Sequence, residues 1–268
     1  MRLGISSFTY SWAVAQPAGL ADALTPAELL AKAAEFGVGV VQFGDNMPLD
    51  RLPPGALAPL AEAQKRGVEV EVGMRGLDRQ AIGRYIEIAA EYGSPILRLV
   101  TDTDEIQPSR DEIVRMLVEM VPGLQQAGIV LAIENHDRFT SAQLREMVEA
   151  VGSPSVGVCL DTVNSLVALE GPREVVETLA DLTVNLHIKD VLARRDPTGL
   201  GVLIQGVPAG DGQVDIPWVL ERVRAGGRDP NAILEQWTPP AEELPATLAR
   251  EAQWAKQSIA YLRTLISD

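Results

Sequence analysis

The strongest constraint on this chain is a rhythm: short apolar runs alternate with longer amphipathic segments, eight times from end to end. The apolar runs are Leu3–Ser7, Val38–Phe43, Val68–Val72, Pro95–Val100, Ile129–Ile133, Ser155–Leu160, Thr183–Ile188 and Ala232–Leu234. Most are near-continuous in hydrophobicity, as strands are when both faces of a parallel sheet are covered. Between them run helical segments: Pro26–Glu35, Ala56–Arg66, Arg79–Tyr92, Ser109–Gln126, Ala142–Val151, Arg173–Ala180, Ile216–Val223 and most of Ala241–Ile266. Helix starts are marked by Thr25 before Pro26, and by Ser109 with Glu112 three residues on, a capping-box pattern.

Eight strand–helix units predict an α/β fold, a (β/α)8 TIM barrel with its helices outside. An open, doubly wound sheet is the competing topology, but no Gly-x-Gly-x-x-Gly turn follows the first strand. With 268 residues and no dividing linker, one domain over positions 1–268 is expected. One stretch, from about Arg194 to Gly212, is too long for a simple turn and reads as a functional or mobile loop.

Composition narrows the partners. Lys and Arg number 23 against 37 Asp and Glu, a net charge of −14. Such a surface repels phosphate backbones and anionic lipid, so neither nucleic acid nor a membrane is expected as a partner. Cys159 is the only cysteine, which rules out an intrachain disulfide and fits a reducing compartment. No stretch reaches the roughly 18 apolar residues of a membrane span, and Met1–Ser7 lacks a signal-peptide core. A cytoplasmic location is the expectation, and a homo-oligomer is left open.

In a parallel barrel the working face lies at the C-terminal strand ends. There the fifth strand closes with Glu134-Asn135-His136-Asp137, the sixth with Asp161, and the eighth with Glu235. The seventh carries His187 and, two residues on, Lys189. Three converging carboxylates repel one another, and a divalent cation resolves that repulsion. Three oxygen ligands and one nitrogen suit Mn²⁺, Mg²⁺ or Co²⁺. The alternative is a set of salt-bridged rim residues with Lys189 or Arg138 as partners.

Five segments also carry a family resemblance: Ile133-Glu134-Asn135-His136, Gly157-Val158-Cys159-Leu160-Asp161-Thr162, Leu186-His187-Ile188-Lys189-Asp190, Gly210-Asp211-Gly212 and Ile233-Leu234-Glu235. In order and spacing the chain resembles the xylose isomerase-like barrel superfamily, in particular its sugar isomerase/epimerase branch. The resemblance implies Glu134, Asp161, His187 and Glu235 as ligands to one divalent metal ion, with Mn²⁺ first. It also implies that Glu134 and Glu235 act as proton-transfer groups. One departure is Asn164, where many members carry a histidine; a neutral amide binds a hydroxyl but does not shuttle a proton at neutral pH.

The activity implied is a metal-dependent sugar isomerase or epimerase, abstracting a proton beside the carbonyl of a keto-sugar through an enediolate. A lyase on the same scaffold, an inosose-type dehydratase or a 3-keto-glycoside eliminase, is the rival. An abasic-site endonuclease is disfavoured by the two histidines and the acidic charge. A non-catalytic sugar-binding protein is the fourth reading. His136 and Lys189 are further catalytic candidates, against a histidine satisfied by Asp137 and a lysine salt-bridged to a ligand. Asp45, Asn46, Arg75, Asp102, Asn164 and Trp237 are candidates for substrate contact, the loop acids being equally suited to capping. Tyr10 and Trp12 are candidates to stack on a sugar, Asp211 to approach the metal, and Arg75, Arg194 and Arg195 to bind a phosphate.

Overall fold

The structure is a computed structural model that describes residues 1–15 and 23–267. Its first five strands and the helices among them run β1 (Leu3–Ser6), α1 (Ser11–Val14), α2 (Pro26–Phe36), β2 (Val40–Phe43), α3 (Pro54–Lys65), β3 (Glu69–Arg75), α4 (Arg79–Glu91), β4 (Ile96–Val100), α5 (Arg110–Ala127) and β5 (Val130–Glu134). Then come α6 (Ser141–Val151), β6 (Val156–Asp161), α7 (Pro172–Leu179), β7 (Thr183–Ile188), β8 (Asp190–Arg195), β9 (Val202–Val207), α8 (Ile216–Ala225), β10 (Ala232–Leu234) and α9 (Leu244–Leu262). Eight strands pair in parallel and close in the order β1-β10-β7-β6-β5-β4-β3-β2. Among the described residues no helix is long and apolar enough to cross a membrane.

Local chemistry sets the helix ends. Thr25, Ser109 and Thr140 each close a capping box with the side chain three residues on. Gly37, Gly128 and Gly152 end those same helices in the left-handed region, where a side chain is strained.

The main apolar core lies between the outer face of the barrel and the helices, built from residues such as Leu29, Ile82, Leu117, Leu160 and Ile259. A smaller cluster plugs the barrel interior: Ile96, Ala132 and Cys159, with Val130 and Val184 against them. Side chains alternate along a strand, so two residues further on the same inward face carries Arg98, Glu134 and Asp161. On the β4–β6 side the polar site therefore sits above an apolar plug.

The long stretch after β7 is not a loop. Residues 190–207 form an antiparallel hairpin outside the barrel, pairing Asp190 with Val207 and Arg195 with Val202. Asp190 anchors it by accepting hydrogen bonds from the backbone N–H groups of Val191, Gly210, Gly212 and Val214. Gly206 fits because a Cβ there would stand 2.1 Å from the Trp237 carbonyl oxygen.

Candidate metal centre and active site

Glu134 ends β5, Asp161 ends β6, His187 lies in β7 and Glu235 follows β10; all four are buried. From His187 Nδ1 the nearest oxygens of Glu134, Asp161 and Glu235 are 3.6, 3.9 and 3.5 Å away. Two ligands held about 2.1 Å from a shared ion at a roughly tetrahedral angle lie about 3.4 Å apart, so this spacing fits a metal. The ring makes a stronger case. Nε2 meets Gln42 Oε1 at 2.8 Å, while Nδ1 is buried without a hydrogen-bond partner and faces three carboxylates. An orphaned nitrogen aimed at converging anions is a donor set for a cation. Burial opposes charge on His187, but the facing carboxylates of Glu235 and Glu134 overcome it and raise its proton affinity well above the usual range. A proton and a divalent cation compete for the same atom.

Cys159 also stands within reach of Glu134 and His187. Burial pushes its thiol up to about 12, and its Sγ–H points to Asn185 Oδ1. It is a thiol at neutral pH and a weaker candidate than Asp161 and Glu235, which form the other cluster with His187.

Two cations are built into this cluster. Lys189 is buried; its ammonium contacts Asp161 and lies 2.7 Å from Glu235 Oε2. Burial works against that charge, and Asp161, Glu235 and Glu134 hold it in place. Arg98, inside β4, is equally buried and bridges Glu134 and Asp45 through Nε and Nη1. Asn164 donates from Nδ2 to the other Glu134 oxygen at 2.7 Å. Burial raises the Glu134 carboxyl, but Arg98 and His187 hold it well below the usual range. Glu235 is lowered too, by His187 and Lys189 against burial, and it accepts from Ser6 Oγ at 3.0 Å.

Above these candidate ligands a cavity of 90 Å³ is lined by Arg75, Arg98, Glu134, His136, Asn164, Lys189, Glu235 and Trp237, among others. Arg75 donates to Asp45 at 2.9 Å and reaches His136 Nε2 at 3.3 Å. A guanidinium only donates, so His136 Nε2 accepts and Nδ1 carries its hydrogen toward Asp137, 2.8 Å away. Asp137 turns the chain there with φ 47°, a left-handed conformation that Asp tolerates.

Several candidates lie elsewhere. Asn46 exchanges hydrogen bonds with Ser7, and Asp102 is held by a two-pronged Arg138 fork while its carbonyl accepts from Arg75 at 3.3 Å, so in this structure both tie loops together. Tyr10 is buried beneath Lys32, and Trp12 lines the neighbouring groove toward the hairpin. Asp211 accepts from Gln257 at 2.6 Å, and Arg194 and Arg195 lie exposed on the hairpin. Arg98, Gln42 and Glu71 have no place among the strand-end candidates. Their signal is a polar side chain at inward parity inside an otherwise apolar run.

A profile described as xylose isomerase-like TIM barrel matches residues 30–265. Over 269 residues the chain is 32% identical to 3-oxo-isoapionate decarboxylase of Pectobacterium atrosepticum, covering 98% of this chain and 96% of that one. Among solved structures, a D-psicose 3-epimerase crystallised with D-fructose is 16% identical and superposes with TM-score 0.74 over all of both chains. A xylose isomerase-like TIM barrel protein from Mycobacterium smegmatis, in complex with magnesium, is also 16% identical, with TM-score 0.70 over 97% of each chain. By the profile and the decarboxylase alike, this chain belongs to the xylose isomerase-like TIM barrel family.

Proposed function

We propose that this protein is a divalent-metal-dependent lyase that releases CO₂ from an anionic 3-oxo acid derived from a sugar. The observation that carries the reading is the charge lining the site. Four carboxylates (Asp45, Glu134, Asp161, Glu235) meet three cationic side chains (Arg75, Arg98, Lys189). A divalent cation held by Glu134, Asp161, His187 and Glu235 makes the balance of these rim groups net positive by one charge; Glu71, a layer deeper, is held instead by the Gln42, Asn185 and Asn231 amides. A neutral keto-sugar leaves the excess standing, whereas a substrate carboxylate offsets it. The 32% identity to a 3-oxo acid decarboxylase supports the same class.

When bound, the cation supplies Lewis-acid polarisation of a substrate carbonyl. The protein's own groups supply the rest. Arg75 at the rim draws the substrate carboxylate in. The bond between that carboxylate and the carbon beside the ketone breaks, CO₂ leaves, and the electron pair moves into the ketone as an enolate. Lys189 steadies the developing oxyanion. No base is needed for this step, which suits Glu134: Arg98 and Asn164 hold both its oxygens, making it a ligand rather than a proton acceptor. A proton then returns to the carbon, and His136 is the rim side chain placed to relay it.

One observation favours the epimerase reading instead. Glu134 and Glu235 both line the cavity, as a two-base proton exchange at one carbon requires. The test is Mn²⁺-loaded protein in D₂O, followed by NMR, with 3-oxo-isoapionate in one arm and D-fructose in the other. CO₂ release with one deuterium at the new C–H bond supports the decarboxylase. Deuterium exchange with a new ketose stereoisomer, and no CO₂, supports the epimerase. No turnover in either arm, with bound metal verified by elemental analysis, rejects both.

A further inference from the structure

Beneath the ligands lies a layer of buried amides around one carboxylate that the proposed chemistry leaves unused. Glu71, in β3, is fully buried, and its partners are side-chain amides. One oxygen accepts from Gln42 Nε2 at 2.9 Å and Asn185 Nδ2 at 2.8 Å; the other accepts from Asn231 Nδ2 at 2.8 Å. Gln42 Nε2 also donates to Asn185 Oδ1 at 2.9 Å. Burial and the neighbouring Glu69 charge raise the Glu71 carboxyl, and the Asn231, Gln42 and Asn185 amides work against that rise without cancelling it. Only donors stand among its hydrogen-bond partners, and both Glu71 oxygens act as acceptors.

That arrangement dictates how Gln42 sits. Its NH₂ faces Glu71, so its Oε1 faces His187 Nε2 at 2.8 Å. The flipped amide would set oxygen against carboxylate and leave the anion short of a donor. An acceptor opposite Nε2 places the ring hydrogen there, and Nδ1 is left as a lone pair toward Glu134, Asp161 and Glu235. We infer that Glu71 and Gln42 are positioning residues that fix His187 as its Nε2–H form and thereby prepare Nδ1 to bind the metal. The inference rests on the metal reading but not on decarboxylation. The chain of groups runs carboxylate, amide, imidazole, cation, with Gln42 interposed where a carboxylate commonly meets the histidine directly.

The measurement is Mn²⁺ affinity by titration calorimetry on folded variants, paired with NMR of the ¹⁵N-labelled, Mg²⁺-loaded protein. Gln42→Met and Glu71→Met should each bind Mn²⁺ about 10- to 100-fold more weakly. Glu71→Gln keeps an acceptor for the Gln42 amide and should recover part of that loss. In the wild type, a slowly exchanging His187 Nε2–H should show contacts to Gln42, a signature that general packing damage would not create. If the methionine variants fail to fold, the wild-type spectrum decides. Folded Gln42→Met with wild-type affinity overturns the relay alone, and a hydrogen on Nδ1 of the Mg²⁺-loaded protein overturns both the relay and His187 as a ligand. A wild-type protein that binds no Mn²⁺ overturns the metal reading and the relay with it.

Discussion

Arg98 sits where an arginine is rarely tolerated, two residues into a five-residue apolar strand and almost out of contact with solvent. It is stable there because Glu134 and Asp45 take up its charge. Removing one member of a buried pair strands the others, at a cost of about 3–5 kcal/mol. Arg98→Met should therefore lower stability by that amount in urea unfolding with chelator present, and by less with saturating Mn²⁺, which neutralises Glu134. A loss below about 1 kcal/mol, the scale of an exposed pair, would contradict the pairing. Glu251 supplies a second residue-scale expectation. Burial pushes it up to about 7, although it accepts from the N–H groups of Trp12 and Ala13. A carboxyl raised above its unfolded value contributes stability fully present at low pH and lost as pH rises toward 7. Every tenfold gain in proton affinity on folding corresponds to about 1.4 kcal/mol. Stability relative to Glu251→Gln should thus fall between about pH 4.5 and 7 and be flat above, as urea titrations across pH would show. His187 and the three carboxylates that converge on its Nδ1 were legible in the sequence as candidate ligands because each stands at or near a strand end. Arg98, Gln42 and Glu71 were not, because they lie within runs, and their role depends on which strands become neighbours. Gln42 and Glu71 are paired in register, yet Gln42 and His187 are 145 positions apart.

At the scale of elements, all eight barrel strands coincide with the apolar runs, within a few residues at each end. Period and punctuation sufficed because a strand covered on both faces must be apolar almost throughout. The hairpin of β8 and β9 escaped that logic. Beyond its base it is exposed on both faces, and exposed Leu192, Val202 and Leu203 mix with Arg194 and Arg195, so neither a continuous nor a cleanly alternating pattern appears. Its placement beside the cavity depends on Gly206 lying against the Trp237 backbone. Gly206→Ala has no room and should cost about 1–3 kcal/mol, with a change in the near-ultraviolet circular dichroism of the tryptophans. Gly201→Ala, whose nearest neighbour would be Asp196 Cβ at 3.8 Å, is the control and should change neither.

The whole molecule combines a strongly acidic chain with a cavity in which arginine and lysine are concentrated. Bound metal adds to stability by mass action, about 2.7 kcal/mol at a concentration 100 times Kd. For a chain of this size that is a rise in Tm of about 5–10 °C. Mn²⁺ should produce this shift in a thermal melt, EDTA should reverse it, and His187→Ala should abolish it; an identical shift in the variant would place the ion elsewhere.

The barrel closes by pairing β1 with β10, and Ser6 meets Glu235 across that seam although 229 positions separate them. The first strand therefore leaves the ribosome long before its neighbour exists. At about 5–20 residues per second, that wait is roughly 10–45 s. Throughout it one edge of β1 is unpaired and Ser6 lacks its carboxylate partner. The nascent chain is thus exposed to aggregation for most of its synthesis, and chaperone demand should drop sharply once the segment around Glu235 emerges.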